Sequence, residues 1–380
     1  MKKRIVILFN CLFDSFERLA VWFLYGSWRQ RRSGWRGDFA RYMYQNAKRV
    51  QKHLVIYQKE FIERIQRDRP ELVTTKRILY YRQYDYRLCM SLLGSKCDDW
   101  FEFKFFSHGW VYRWRALSFW RNEFFNTRIN QRGTSVTRVV GDKSLFAEHW
   151  ASFYGREWCT VNGPQGISWA DFSARFSGKR LAAKLVSGYG GFGFRIIEPD
   201  EQEMAFKELE ASGKEWLVEE YILQTGVLHE LNPTSLNTIR VCTVIINNSP
   251  EVVFAKLRVG RKGAIVDNIS SGGVLFNLDL TTGAVLNSSD YSGKDVSVFP
   301  DGKTPVNGFV IPHWDEVKDF CIRAHRLAPK EIHLIGWDVC LSDNKLYMIE
   351  GNCGPAFCPP EKDVPNPWRF AKQYLNSLEE

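Results

Sequence analysis

Near residue 136 the chain changes character, and one uniform architecture cannot satisfy both sides of the change. Upstream, apolar residues recur at helical intervals across 36–69, at Phe39, Met43, Ala47, Val50, Leu54 and Ile62. Pro70 is expected to end that stretch, because proline disfavours helical backbone in the residue before it. Residues 76–125 are dense in Tyr, Arg and Trp and read as mostly helical. Downstream, short β-branched runs alternate with turn residues and with helical stretches. Val136, Arg138, Val139 and Val140 read as a short strand and 142–154 as a helix. Residues 181–186 and 194–197 read as strands around a glycine cluster, 201–212 as a helix and 216–218 as a strand. Residues 238–246 form a long β-branched run, turned by Asn247, Asn248, Ser249 and Pro250 into 252–259. The end repeats the device, with 333–341, a polar turn, and 346–350. Strands and helices mixed with hairpins in this way predict an α+β fold.

Charge divides at nearly the same place. Residues 1–140 hold 28 Lys and Arg against 12 Asp and Glu, a net +16, while 141–380 hold 24 against 31, a net −7. A basic front suits an anionic partner such as a lipid surface, an acidic substrate or nucleic acid, or it is simply a solvated helical surface. Arg and Trp interleave between Trp110 and Trp120 and could stack on bases, but no nucleic-acid-binding module is recognisable, so nucleic acid is the weaker reading. With 44% hydrophobic and 25% charged residues, disordered, collagen-like and low-complexity classes are excluded.

The nine cysteines are odd in number, include no Cys-x-x-Cys pair and have no histidine at zinc spacing beside Cys353 and Cys358. They point to a reducing, cytoplasmic setting. Residues 5–25 are apolar but carry Asp14, Glu17 and Arg18, which argues against a spanning helix. Leu12, Phe16, Leu19, Trp22 and Phe23 fall on one helical face, with Trp28, Arg29, Arg31 and Arg32 beyond. Core packing accounts for such a face, and so does peripheral contact with a membrane.

Three motifs carry chemistry. In the first, Lys184 ends a strand and Gly188, Gly190, Gly191 and Gly193 follow before another strand. Glycines let backbone amides point at an anion, and lysine supplies a compact positive charge. A plain glycine-rich hairpin is the alternative. In the second, Glu219 and Glu220 end an apolar strand and Tyr221 and Ile222 follow. This is either a solvated strand end or a place where carboxylates and backbone could meet an adenine and its ribose. The third joins Asp338 to Glu350 and Asn352. Glu350 and Asn352 are two apart, so a strand puts them on one face. Setting Asp338 opposite Glu350 pairs Ser342 with Leu346 and leaves Asp343, Asn344 and Lys345 as a three-residue loop. Three oxygen donors then converge, a set suited to magnesium shared with phosphates; ordinary turn chemistry is the alternative.

Taken in order, these motifs resemble the ATP-grasp superfamily over about residues 136–360. The runs Asn237–Val241 and Asp267–Gly273 resemble, more specifically, its sugar-transfer-associated family. The resemblance implies two α+β subdomains clasping ATP, at 136–215 and 216–380, behind a basic, largely helical region at 1–135. It implies Lys143 and Lys184 on the phosphates, a flap at 188–193, and Glu219, Glu220, Tyr221 and Ile222 on adenine. Arg240, Lys256 and Arg258 are implied at the reacting groups, with one or two Mg²⁺ on Asp338, Glu350 and Asn352. Asn268, Ser270, Ser271, Gly272 and Gly273 are implied beside the acceptor. The ribose contact falls to Gln224, His229 or Glu230.

The implied activity is an ATP-dependent carboxylate–amine ligase working through an acyl phosphate, with a sugar or surface-polysaccharide precursor among its substrates. The alternatives are a sugar kinase and a non-catalytic nucleotide-binding module that docks glycosyltransferases. The implied location is cytoplasmic, peripheral on the inner membrane face if the basic front meets lipid or a glycosyltransferase.

Overall fold

The computed structural model describes residues 2–26, 33–130, 134–188, 193–357, 359–360 and 366–379, without the side chains of 2–11 and of Ser270. The chain divides into two compact units, Met1–Arg128 with Ala356–Glu380, and Ile129–Pro355.

The first unit is helical: α1 (Lys2–Val21), α2 (Gly34–Lys52), α3 (Leu54–Asp68), α4 (Lys76–Leu88), α5 (Cys97–Glu102), α6 (Trp110–Arg115) and α7 (Phe119–Asn130), whose end opens the second unit. The long periodic stretch is two helices broken at His53, and Pro70 starts a 3₁₀ turn, Pro70–Leu72. Its core is aromatic. Phe61 stacks on Tyr86 at 4.5 Å between ring centres and meets Trp100 edge-on at 4.9 Å, geometries that suit ring quadrupoles. Much of the basic character lies inside: Arg64, Arg87, Arg113 and Arg121 are buried. Arg113 pairs with buried Asp85 at 2.5 Å, and Trp100 donates to the same carboxylate at 3.0 Å. Arg113 of the Trp110–Trp120 region, and Arg121 just after it, are thus held within the core.

The second unit contains two antiparallel sheets. In the smaller, β1 (Trp158–Val161), β2 (Leu181–Leu185), β3 (Arg195–Ile197) and β4 (Trp216–Glu220) lie in the order β1-β4-β2-β3. Phe172, Phe176 and Phe206, from helices Trp169–Phe176 and Gln202–Ala211, pack with Val218 to cover it. In the larger, β5 (Thr238–Ile246), β6 (Ser249–Val259), β7 (Val274–Leu278), β8 (Val285–Asp290), β9 (Leu334–Ser342) and β10 (Lys345–Asn352) lie in the order β10-β9-β5-β6-β7-β8. Ile239, Val241, Leu257, Trp337 and Val339 lie in its core, with Phe146 and Trp150 from residues 143–150 and Val317 and Cys321 from the helix Trp314–His325. Alternate residues of the strands therefore project their polar side chains to the other face.

Two local readings are corrected. Val136–Val140 is no strand: a 3₁₀ turn, Ser135–Thr137, leads into a short helix, Arg138–Gly141. Val136, Val139 and Val140 stand at i, i+3 and i+4, a spacing that also fits a helix. Val140 is buried so close to Gly351 that a Cβ there would lie 3.0 Å from it. Asp142 then caps the helix Lys143–His149, accepting from the amides of Ser144 and Leu145 at 3.1 and 3.2 Å.

The second correction concerns the last hairpin. Asp338 does pair with Glu350, but Ser342 pairs with Lys345, so the turn holds two residues, Asp343 and Asn344. The extra residue sits further along, as a bulge at Ile349 between Met348 and Glu350. Asp343, at φ 47°, occupies the left-handed region that a tight two-residue turn demands.

The register of the larger sheet sets one row across all six strands: Glu350, Asp338, Arg240, Lys256, Asn277 and Asn287. All six are polar.

Candidate active site

A cleft of about 970 Å³ opens over this row within the second unit. The smaller sheet contributes Lys184 and Glu219, and the larger sheet contributes Thr238, Arg258, Asp338, Glu350 and Asn352. Lys143, Tyr221, Ile222, Asp267 and Asn268 complete the polar wall.

Lys184 and Glu219 lie diagonally on adjacent strands, because Ala182 pairs with Glu219 and Lys184 with Leu217. Their ion pair measures 2.5 Å. Glu219 is buried, takes a second pair from Arg156 at 2.9 Å and accepts from the Tyr154 hydroxyl. Burial alone would raise its carboxyl, but the Arg156 and Lys184 charges outweigh it and hold the group at about 2. Arg156 is fixed in turn by donating to the carbonyls of Tyr154 and Met348, both at 2.9 Å. Sequence reasoning missed Arg156 and Tyr154, since nothing local ties them to a strand that follows some sixty residues later.

Lys143, from the helix after Asp142, donates to the carbonyl of Gly188 at 2.6 Å and to that of Val186 at 3.4 Å. It therefore braces the start of the glycine-rich segment, and burial lowers its pKa. Gly188 and Gly193 are described. Gly193 has φ 77°, and a Cβ there would lie 3.0 Å from Leu185. Gly190 and Gly191 lie outside the described residues.

On the larger sheet, Arg240 grips Asp338 with two nitrogens, Nη2 reaching Oδ2 at 2.8 Å. Arg258 meets the same oxygen at 2.9 Å and reaches Asp267 at 3.3 Å. Burial opposes the Asp338 charge, yet Arg240 and Arg258 bring its carboxyl to about 2. Glu350 goes the other way: burial and then the facing Asp338 raise it, against weaker pulls from Arg240, Arg258 and Lys143. Asn352 donates to Glu350 at 3.4 Å. Asp267 accepts from the Thr238 amide at 3.2 Å and from its hydroxyl, a partnership that the sequence reading did not include.

Among the described residues no group of three or more His, Cys, Asp and Glu could hold a metal. The Asp338, Glu350 and Asn352 set has two carboxylates and an amide. Its donors are hard oxygens, and a dication would ease the repulsion that buried Asp338 exerts on half-buried Glu350, which adds to desolvation in raising that carboxyl. The residues therefore fit Mg²⁺ of the partly phosphate-held kind.

A family model for sugar-transfer associated ATP-grasp proteins matches residues 121–361. The chain belongs to that family. Its ATP-grasp domain over 121–361 follows a helical N-terminal region, and the fold is α+β. No curated protein matches the chain in sequence. Among solved structures, it is similar to the D-alanine–D-alanine ligase of Bacillus anthracis complexed with ATP, at 12% identity and a TM-score of 0.39, covering 64% of this chain and 69% of that one. For the N5-carboxyaminoimidazole synthetase of Staphylococcus aureus complexed with ADP the values are 15%, 0.36, 57% and 46%. For the L-amino acid ligase of Bacillus licheniformis they are 11%, 0.38, 63% and 49%.

Not every residue named from the ATP-grasp resemblance lines the cleft. Glu220 alternates to the opposite face of β4, where it pairs with Lys179 at 2.7 Å and accepts from the Glu157 amide at 3.0 Å. Arg240 and Lys256 lie in the polar row beneath the cleft rather than in its wall. Asn268 is in the wall, whereas Ser271, Gly272 and Gly273 stand behind it, with the amides of Ser271 and Gly273 both donating to the Asn268 carbonyl at 3.0 Å. Nothing can be added for the Ser270 side chain, which lies outside the described atoms. Gln224 is locked structurally: it is buried, donates to the carbonyls of Asn237 and Leu341 at 2.9 and 3.0 Å and accepts from the Asn237 amide at 2.9 Å. His229 and Glu230 are not in the wall either. Arg138, which the misread strand concealed, is.

Proposed function

We propose that this ATP-grasp chain is an ATP-dependent carboxylate–amine ligase whose acceptor is sugar-linked. The observation that supports it most is one cleft lined by Asp338, Glu350 and Arg258 from the larger sheet, by Lys184 from the smaller and by Lys143 from the helix after Asp142, with Arg240 paired to Asp338 behind that wall. Cations and carboxylates so arranged can spread charge over a transferring phosphoryl group, which is most of what such chemistry asks of a protein. Lys143 and Lys184 hold the triphosphate, with Lys184 exchanging Glu219 for phosphate oxygens. Tyr221 and Ile222 receive the base. Mg²⁺ on Asp338, Glu350 and Asn352, when bound, neutralises phosphate charge.

An acceptor carboxylate oxygen attacks the γ-phosphorus, the bond to the ADP oxygen breaks, and an acyl phosphate forms. Arg258 neutralises the carboxylate, held at its angle by Thr238, which it meets at 3.0 Å, and by Asp267. An amine nitrogen then attacks the acyl carbon. The C–N bond forms as the C–O bond to phosphate breaks, and the nitrogen gives up its proton to solvent. What supports a sugar-linked acceptor is the family's association with sugar transfer.

Incubation with Mg·ATP, uronic-acid sugars and candidate amines, read by mass spectrometry, tests the reading. An amide product with ADP and phosphate supports it. A phosphorylated sugar makes the protein a kinase, and nucleotide binding without turnover across the acceptor panel makes it a docking module.

A further inference from the structure

Over its described half, residues 12–21, the first helix turns a carboxylate inward and large apolar side chains outward. Glu17 is fully buried and is drawn inward to Arg87, which pairs with it and lies 2.6 Å from Asp14 as well. Ser91 donates to Glu17 from the same side. Val21 and Tyr25 are buried along that inner face. Glu17 is thus spent on an internal ion pair, while Asp14 meets Arg87 from the surface, its side chain 42% exposed.

The outward face carries Leu12, Phe16 and Leu19, continued by Phe23 in the π-helical turn Trp22–Gly26, at i, i+4, i+7 and i+11, and they are 63%, 58%, 64% and 69% exposed. Trp22 flanks them at 53%. This spacing lays the four side chains in one stripe, about 16 Å long at the α-helical rise. A contiguous apolar stripe of this kind on a surface marks an interaction site.

Charge selects the occupant. Residues 1–52 contain 12 Lys and Arg but only 3 Asp and Glu, and of those three acids Glu17 is fully buried against Arg87 and Asp14 is paired with the same arginine. An apolar stripe in a strongly cationic setting, with a tryptophan at its border, complements a surface that is greasy and anionic together. Among the described residues no helix is long and apolar enough to cross a membrane, so the helix can lie on a bilayer but not span it.

We propose that α1 docks this chain on an anionic lipid bilayer, its Leu12–Phe23 stripe inserted among the acyl chains and the net positive charge of residues 1–52 drawn to the headgroups. Interfacial helices bind by that combination of apolar area and charge. The proposal does not depend on the chemistry assigned to the cleft.

Co-sedimentation of the full chain with sucrose-loaded vesicles tests it. Vesicles of phosphatidylcholine containing one-third phosphatidylglycerol should pellet the protein with a partition coefficient roughly tenfold or more above that for phosphatidylcholine alone, and added salt should weaken the binding. Phe16→Glu, Leu19→Glu and Phe23→Glu together should leave the protein in the supernatant with its circular dichroism and ATP affinity unchanged. Wild-type protein that stays in solution, equal partitioning into neutral vesicles, or binding that survives the triple substitution overturns the proposal. So does a dimer in lipid-free sedimentation that the triple variant abolishes while wild type ignores vesicles, which would make the stripe a contact between copies.

Discussion

Lys184 Nζ lies 2.5 Å from Glu219 Oε1, on the diagonal between two neighbouring strands of the smaller sheet. A lysine so placed has two possible anions, the buried carboxylate behind it and any phosphate in the cleft before it. Lys184→Met removes the second contact without orphaning Glu219, which keeps Arg156 and Tyr154. ATP affinity should fall by roughly ten- to a hundredfold, since a charge-assisted hydrogen bond contributes about 1.5–3 kcal/mol. Thermal unfolding should change little. Calorimetric titration with Mg·ATP and a melting curve check both halves.

Arg156→Met should do the reverse. Arg156 is almost fully buried and holds Glu219 in place. Removing it strands a carboxylate that only Lys184 and Tyr154 then face, at a cost of about 3–5 kcal/mol. Urea unfolding should show that loss, and ATP binding measured well below the new midpoint should be weaker by less than Lys184→Met makes it.

The acid limb of stability should depend on Glu219. Its carboxyl is held at about 2, against an ordinary 4.5, so its contribution is complete above about 4.5 and drains away as pH falls through about 2. Glu219→Gln removes that dependence. The gap in urea midpoint between wild type and variant should be widest above about pH 5 and should close steadily toward about pH 2. A gap that stayed constant would mean the group titrates normally.

Glu350 and Asp338 face each other, yet their neutral replacements should diverge. Glu350→Gln relieves a carboxyl that burial and Asp338 already disfavour. The nucleotide-free protein should be as stable as wild type or more so, while Mg²⁺-dependent ATP binding falls. Asp338→Asn leaves Arg240 and Arg258 facing a neutral amide and should cost about 3–5 kcal/mol in the nucleotide-free protein. Urea unfolding with and without Mg·ATP separates the two.

Gly273 lets the segment beside Asp267 fold back on itself. A Cβ there would sit 2.4 Å from the Asp267 carbonyl and 2.9 Å from that of Asn268. Gly273→Ala must therefore push the segment aside. The acceptor KM should rise severalfold with the ATP Kd unchanged, the split that steady-state kinetics beside an ATP titration would reveal.

The larger sheet was legible because its strands announce themselves. Thr238–Ile246 is strand from end to end, and a long β-branched run between turn residues admits little else. The pairing of Asp338 with Glu350, supposed from two strands flanking a polar turn, is present too. The turn beyond it was not legible, since alternation cannot locate a bulge. Val136–Val140 deceived because a short valine cluster satisfies both periods. Glu220 deceived because two consecutive carboxylates on a strand must face opposite ways, and only Glu219 reaches the cleft. Arg156 and Tyr154 left no local trace, for their partner is brought to them by tertiary pairing alone.

The bulge at Ile349 insulates. It divides the last hairpin into a stretch governed by its two-residue bend and a stretch governed by Asp338, and neither has to answer to the other. The tip has its own anchor, Thr225, whose hydroxyl donates to Asp343 at 2.6 Å and whose amide donates to Ser342 at 2.9 Å, so a change at Asp343 is felt there before it reaches Glu350 and Asn352.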